Sequence, residues 1–463
     1  MAVATGLSSS LGGRQMTMIA IGGVIGAGLF VGSGSAITKA GPGVLIAYAA
    51  VGLIVVLVMR MLAEMAVAKP ETGSFASYAD RELGPWAGLA VGWLYAYQWC
   101  VTVGFEAIAG AAIMHAAVPA IPSWLDALAV MVILVAVNLA RVRSYGEFEF
   151  WFATVKVVAI VLFILLGVVA FAHLLPGFHS PGLSNMSAHG GFLPNGWFAV
   201  LSAMLIVMFS FFGTEVVTIA AGEAREPVRA VRRGLRSVVW RILVFYLGSI
   251  LVIVTLLPWD NNQVTKSPYV AVLGHLGIPY AGAIMDVVVL TAVLSCLNSG
   301  IYSSSRMIYS LARHGEAPAV FGRTTHGGVP VWAVLLASSG GLLTVVANYF
   351  IPTTAVFEFL LSSSGAVAVV VYLVICATQL RGRARLQRES PETLTVRMWG
   401  YPYVTALVAV ALLAIMVAMA VEKDTREELL LTLVVTVVAV LAGLVRQRRI
   451  AGVDAAREEV AGV

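Results

Sequence analysis

Twelve apolar stretches, most close to 20 residues long, alternate with short polar or basic segments along the chain. Their approximate extents are 17–38, 43–68, 86–117, 124–140, 149–172, 198–221, 238–258, 279–305, 331–350, 355–379, 402–421 and 429–446. About 20 apolar residues in a helix cross the hydrocarbon of a bilayer. The pattern therefore predicts an all-α polytopic membrane protein with twelve transmembrane helices. The third and eighth stretches exceed a perpendicular span, which implies tilt or projection into water. Pro42, Pro85, Pro122, Pro330 and Pro402 fall near helix entries, where a missing N–H costs little. Two stretches carry faults. The first contains IGGVIGAGLF, Ile21 to Phe30, and the sixth contains SFFGTE, Ser210 to Glu215. A helix in lipid collects glycine and a carboxylate where its backbone opens against protein or solute. Paired broken helices at corresponding positions of two halves mark a secondary transporter and the place of its substrate.

Composition removes the soluble alternatives. The 463 residues are 60% hydrophobic and 11% charged, against about 25% charged in globular domains; mean hydropathy is +0.92. Cys100, Cys296 and Cys376 all lie in apolar stretches, so they read as buried thiols rather than a disulfide framework. The seven histidines show no metal-ligand spacing. With no hydrolytic triad or nucleotide loop either, the expectation is a protein that is not an enzyme and needs no cofactor. The first apolar stretch leads directly into further spans, so it reads as retained helix rather than a cleaved signal.

Charge predicts orientation. All but five of the 29 basic residues fall in segments that share one side if the amino terminus is inside; the exceptions are Lys39, Lys266, Lys423, Arg426 and the intramembrane Lys156. The densest cluster runs from Arg225 to Arg241. This bias places both termini in the cytoplasm, and it accounts for the net charge of +5 without nucleic acid. The expected organisation is a cytoplasmic segment 1–16, the spans, and a cytoplasmic tail 447–463. The outward loop His173 to Trp197 reads as irregular or partly re-entrant, and Gly222 to Ser237 as a short amphipathic surface helix.

The faults offer chemistry. If residues near Gly26 to Gly28 unwind, the following half-helix presents unpaired N–H groups to a carboxylate. Small-residue packing is the other reading, since Gly22–Gly26 and Gly28–Gly32 both have its spacing; pairing with the second fault favours the break. There Gly213 permits a turn, carbonyls can receive an ammonium, Ser210 and Thr214 add polar atoms, and Phe209, Phe211 and Phe212 wall the site. Glu215 reads as a gate, a proton carrier or a cap on the reoriented backbone. Lys156, two turns into the fifth span, has two readings: an ammonium standing where another transporter binds a cation, or a side chain snorkelling to the interface. Glu106 is the deepest acid of the third span, beside Tyr97, Gln98 and Trp99, which are expected to face the cavity. Glu64 reads as part of a gate or an ion pair with arginines. Asn298 and Ser299 read as interhelical hydrogen-bonding groups.

Long blocks in order carry a resemblance: MTMIAIGGVIGAGLFVGSG, MRMLAEMAVAKPETGSFASYAD, YGEFEFWFATVKVVAI, FLPNGWFAVLSAMLIVMFSFFGTEVVTIAAGE and SCLNSGIYSSSRMIYSLARHGEAPAV. The chain resembles the bacterial amino acid transporter family of the amino acid/polyamine/organocation superfamily. Within it, SVVWRILVFYLGSILVIVTLLPW and SSSGAVAVVVYLVICATQLR are most similar to gamma-aminobutyrate permeases. The resemblance implies two inverted five-helix repeats, 17–172 and 198–379, then two additional helices within 402–446. It also implies amino acid uptake energised by protons. Gly22, Ile25, Gly26 and Gly28 match the family's first substrate-binding break, and Phe209, Gly213, Thr214 and Glu215 the second. Lys156 matches a fifth-helix lysine associated with proton coupling. The segment LYAYQWCVTVGFEAIAG departs from the tryptophan-rich third helix of enteric gamma-aminobutyrate permeases. Another neutral or aromatic amino acid is therefore the alternative substrate. The expected partners are an amino acid, a proton and membrane lipids, with a monomer as the functional unit.

Overall fold

The computed structural model describes residues 24–71, 73–140, 142–221, 226–351 and 353–461. Gly22, Gly23, the start of the first predicted span and the amino-terminal segment lie outside them. The described residues open with a four-residue helix α1 (Ala27–Phe30), α2 (Gly32–Ala40) and the long apolar α3 (Val44–Ala68). Next come α4 (Ser74–Leu83), α5 (Pro85–Ala117, with proline in its first turn), α6 (Ser123–Leu139) and α7 (Val142–Phe171). The sixth stretch is split into α8 (Gly196–Phe211) and α9 (Val216–Ala220). A basic helix α10 (Pro227–Trp240) passes through a wider π turn, Arg241–Leu247, into α11 (Gly248–Leu256). The remainder is α12 (Ala281–Arg313), α13 (Val331–Phe350), α14 (Thr353–Glu389), α15 (Tyr403–Val421) and α16 (Lys423–Ala461).

Among the described residues, nine helical stretches are long and apolar enough to cross a membrane, and two shorter apolar helices, Ser123–Leu139 and Val244–Leu256, accompany them. The chain is thus an all-α, multi-pass membrane protein with a bent first helix. Burial sorts the helices. The most apolar 18 residues within Gly196–Ala220 are 89% buried, whereas those within Thr425–Arg448 are 22% buried. The faulted helix lies in the middle, and the last helix leaves Val434 and Leu441 exposed on the outside of the bundle. The long α5 packs against α4, α6, α12, α13, α14 and α16. It is the post around which the site is built. Polarity is turned inward: Glu106, Glu149, Lys156 and Glu215 are all buried.

Three local expectations change. The residues Ser74–Leu83, read as loop, form the amphipathic α4. The tenth stretch continues as helix to Glu389, because its charged extension finds partners: Arg385 bonds Glu82 at 2.6 Å and Glu389 at 2.8 Å. The arginine-rich segment is helical from Pro227 but runs on into the seventh stretch rather than standing apart on the surface. Its Val231 is buried, which docks one face of α10 on the bundle. The loop 173–197 is mostly irregular, with a short helix Ser184–Ser187 whose Asn185 donates to the Thr255 carbonyl at 2.9 Å.

Polar clusters tie helix ends together. Glu64 accepts from Arg383, from Gln379 Nε2 at 2.9 Å and from the Met398 N–H at 2.5 Å, which makes it the ion pair with an arginine. Glu316, after α12, accepts from Arg446 of α16 at 2.9 Å with its side chain 4% exposed. Burial raises the Glu316 carboxyl to about 7; Arg446 opposes this and the Asp80 charge adds to it. A raised value in the fold favours the protonated form. Its contribution to stability is therefore full below the ordinary carboxyl value and is lost as pH rises through about 7. Between about pH 5 and about pH 8 the purified protein should lose more thermal stability than Glu316→Gln does. Melting curves that fall in parallel would remove Glu316 from the pH response.

Candidate functional site

The first break precedes α1. Gly26 is extended, with φ −125° and ψ −155°, and α1 begins at Ala27. The orphan N–H of a helix start needs an acceptor, and one arrives from 79 residues away. Both Glu106 oxygens lie 3.3 Å from Ala27 N. This close approach requires glycine: a Cβ at Gly26 would stand 2.3 Å from Glu106 Oε1 and 2.8 Å from Cys296 Cβ. The break and small-residue packing therefore coincide at Gly26. Gly28 is buried inside α1, and its carbonyl accepts from Ser210 Oγ at 2.9 Å.

The second break lies between α8 and α9. Phe212 is extended and Gly213 has φ +102°, a left-handed backbone that favours glycine. Glu215 folds back over the opening. Its oxygens accept from the Gly213 N–H at 3.1 and 3.3 Å, from Thr214 Oγ1 at 3.4 Å and from Tyr372 of α14 at 3.4 Å. That is the geometry of a cap on the opened backbone.

The two breaks face one another. Gly26, Gly28, Phe209, Ser210, Phe212, Trp99 and Glu106 line one cavity, together with Val24, Thr102 and Cys296. Its volume is about 10 Å³, room for roughly one water-sized sphere. A solute larger than a water molecule fits only after the walls separate. The walls are aromatic: Phe212 packs between Tyr95 and Trp99 with centroids at 5.5 and 5.6 Å, and Phe209 meets Phe105 at 5.0 Å. The buried Trp99 Nε1 and both polar atoms of Gln98 have no hydrogen-bond partner among the described residues. Gly213, Thr214 and Glu215 are not part of the cavity lining; they hold the turn that follows Phe212.

Lys156 and Ile25 also lie outside the cavity lining. The lysine does not snorkel. It is fully buried, and its Nζ donates to the Ile25 carbonyl at 2.9 Å and to Ser295 Oγ of α12 at 2.8 Å. An ammonium thus sits on a carbonyl that the break leaves outside regular helix.

Several participants were not singled out from the sequence. Tyr246, in the π turn, donates to the Ser210 carbonyl at 2.8 Å and stands 3.4 Å from the Val24 carbonyl, so one hydroxyl touches both breaks. The widened turn that aims it has no local sequence signature. Ser295 and Glu149 complete the surroundings of Lys156, with Ser295 Oγ donating to Glu149 Oε1 at 2.6 Å. Here a signal existed: Glu149 and Lys156 are seven residues apart, on one helix face. Among the described residues no group of three His, Cys, Asp or Glu side chains could hold a metal ion.

The family model for amino acid permeases matches residues 15–451. A gamma-aminobutyric acid permease of Bacillus subtilis is 48% identical over 445 residues, 96% of this chain and 95% of the relative. A gamma-aminobutyric acid permease of Escherichia coli K12 is 52% identical over 403 residues, 87% of this chain and 86% of the relative. An aromatic amino acid transport protein of Corynebacterium glutamicum is 40% identical over 427 residues, 91% of this chain and 92% of the relative.

Proposed function

Because the chain belongs to the amino acid permease family, we propose that this membrane transporter takes up gamma-aminobutyrate together with protons across the cytoplasmic membrane. It is a transporter rather than an enzyme. The observation that carries the coupling is the Lys156 ammonium on the Ile25 carbonyl. Unwound carbonyls in such transporters coordinate the coupled cation. A protein ammonium in that position makes its own proton the coupled ion. The resemblance to two gamma-aminobutyric acid permeases supports the substrate.

In this reading the breaks at Gly26 and Gly213 open the first helix of two inverted five-helix repeats, 17–172 and 198–379. Two further helices within 402–446 bring the spans to twelve. Both termini, 1–16 and 447–463, are cytoplasmic, consistent with the basic residues on that side, and the monomer is the working unit. The substrate carboxylate takes the Ala27 N–H from Glu106, near Gly22, Gly26 and Gly28. Its ammonium reaches carbonyls around Ser210 and Gly213. Phe209, Phe212 and Trp99 set the length and width of the opened cavity. Glu215 and Thr214 keep the second break in shape. The membrane lipids supply the remaining contacts.

A competition panel of gamma-aminobutyrate, beta-alanine, proline, phenylalanine, lysine and glutamate, followed by labelled uptake into sealed vesicles, tests the substrate. Gamma-aminobutyrate should compete most strongly and be taken up directly. The aromatic walls and the Corynebacterium relative favour one second reading, an aromatic amino acid. Saturable phenylalanine uptake without gamma-aminobutyrate uptake would select it.

A further inference from the structure

Glu149 and Lys156 stand two turns apart on one face of α7, and Ser295 of α12 reaches between them. Lys156 Nζ donates to Ser295 Oγ at 2.8 Å, and Ser295 Oγ donates to Glu149 Oε1 at 2.6 Å. All three residues are 0% exposed. A hydroxyl has one proton to give; here it points at the carboxylate, leaving its lone pairs to the ammonium. The result is a directed chain, N–H to O–H to carboxylate. The second carboxylate oxygen, Oε2, is buried without a hydrogen-bond partner among the described residues. Asn298 and Ser299 flank the carboxylate, and Asn138 holds Asn298 by a 2.7 Å hydrogen bond. The other titratable groups around Lys156 are Glu106, Cys296 and Arg241.

We propose that Glu149 is a second proton site of the coupling machinery, receiving the Lys156 proton through the Ser295 hydroxyl. The inference rests on the proton-coupled reading above. One N–H bond of the ammonium breaks and its proton joins Ser295 Oγ, while the serine's own proton moves to Glu149. The products are a neutral amine, the same hydroxyl and a carboxylic acid. The pair carries no net charge before or after, so the step creates none in a low-dielectric interior, where charge is costly. A neutral amine is a weaker donor than an ammonium, so the transfer loosens the hold of α7 on the Ile25 carbonyl and frees the first break to move. Seven residues at about 1.5 Å each put Glu149 roughly 10 Å closer to the start of α7, which is the cytoplasmic end in the proposed orientation. The proton therefore leaves the site inward. A purely structural ion pair would need the charges but not the hydroxyl.

The test uses the full-length protein in vesicles loaded with a pH-sensitive dye. Counterflow, the exchange of labelled for unlabelled gamma-aminobutyrate, is measured beside proton-driven uptake and lumen acidification. Glu149→Gln should keep counterflow while losing proton-driven accumulation by about 100-fold, the scale expected for removing a positioned proton acceptor. Ser295→Ala should behave alike, and Ser295→Thr, which keeps a hydroxyl, should recover most of the coupling. Proton entry at the wild-type level in Glu149→Gln or Ser295→Ala overturns the relay. So does loss of counterflow along with uptake in both variants, or a Ser295→Thr protein as uncoupled as Ser295→Ala. If the wild-type protein moves gamma-aminobutyrate without protons, the proposed function fails. If it couples and the variants couple equally, only the relay fails.

Discussion

Gly26→Ala should abolish uptake, while Gly32→Ala, in the same glycine-rich stretch, should transport normally. A Cβ at residue 26 would meet Glu106 Oε1 at 2.3 Å and the Cys296 side chain at 2.8 and 2.9 Å, from two different helices. Overpacking of this kind costs about 1–3 kcal/mol. Pushing Glu106 aside also leaves the buried Ala27 N–H unpaired, at about 1–3 kcal/mol more. A total of about 3 kcal/mol corresponds to a loss of roughly 100-fold in an equilibrium constant. At Gly32 the nearest atoms would be 3.9 Å away, an ordinary contact. Labelled uptake normalised to membrane abundance separates the two variants. Normal uptake by Gly26→Ala would mean that this convergence of helices is not part of the site.

Lys156→Ala should leave the transporter in the membrane but unable to accumulate substrate. The substitution strips the Ile25 carbonyl and Ser295 of their donor and leaves the Glu149 carboxylate without its cationic counterpart. Removing one partner of a buried charge pair costs about 3–5 kcal/mol, so abundance should fall as well, though less than uptake. Lys156→Arg sharpens the test. A guanidinium keeps the charge but does not release its proton. It should therefore also fail to drive accumulation, whatever it does for stability. The measurement is the inside-to-outside ratio of labelled gamma-aminobutyrate under an imposed proton gradient, with proton flux recorded in parallel. Stoichiometric proton flux in Lys156→Ala would remove this lysine from the coupling mechanism.

The helix breaks were legible in the sequence because glycine and a carboxylate are out of place in a lipid-spanning helix. Gly26 and Gly213 both sit where the backbone leaves the helix. The depth of Glu106 was legible too, but not its bond to Ala27, which joins positions 79 apart. Lys156 allowed two readings, because a lysine side chain can reach the interface or the interior with similar local sequence around it. Only the neighbouring α12, which brings Ser295, separates them. Glu149 lay among aromatic residues at the end of a predicted span and passed as a boundary, although its spacing to Lys156 pointed inward. Tyr246 depends on a π turn, whose change of register no hydrophobic periodicity announces. The charged end of α14 stays helical through pairing with α4, another contact between distant segments.

The central claim is that substrate and proton enter together. Purified protein is reconstituted in sealed vesicles containing a pH-sensitive dye, with equal pH on both sides and no sodium. Adding gamma-aminobutyrate outside should acidify the lumen in step with labelled uptake, and an inward proton gradient should raise the internal concentration above the external one. Uptake that requires sodium, or gamma-aminobutyrate that only equilibrates while the lumen pH stays constant, would contradict the account.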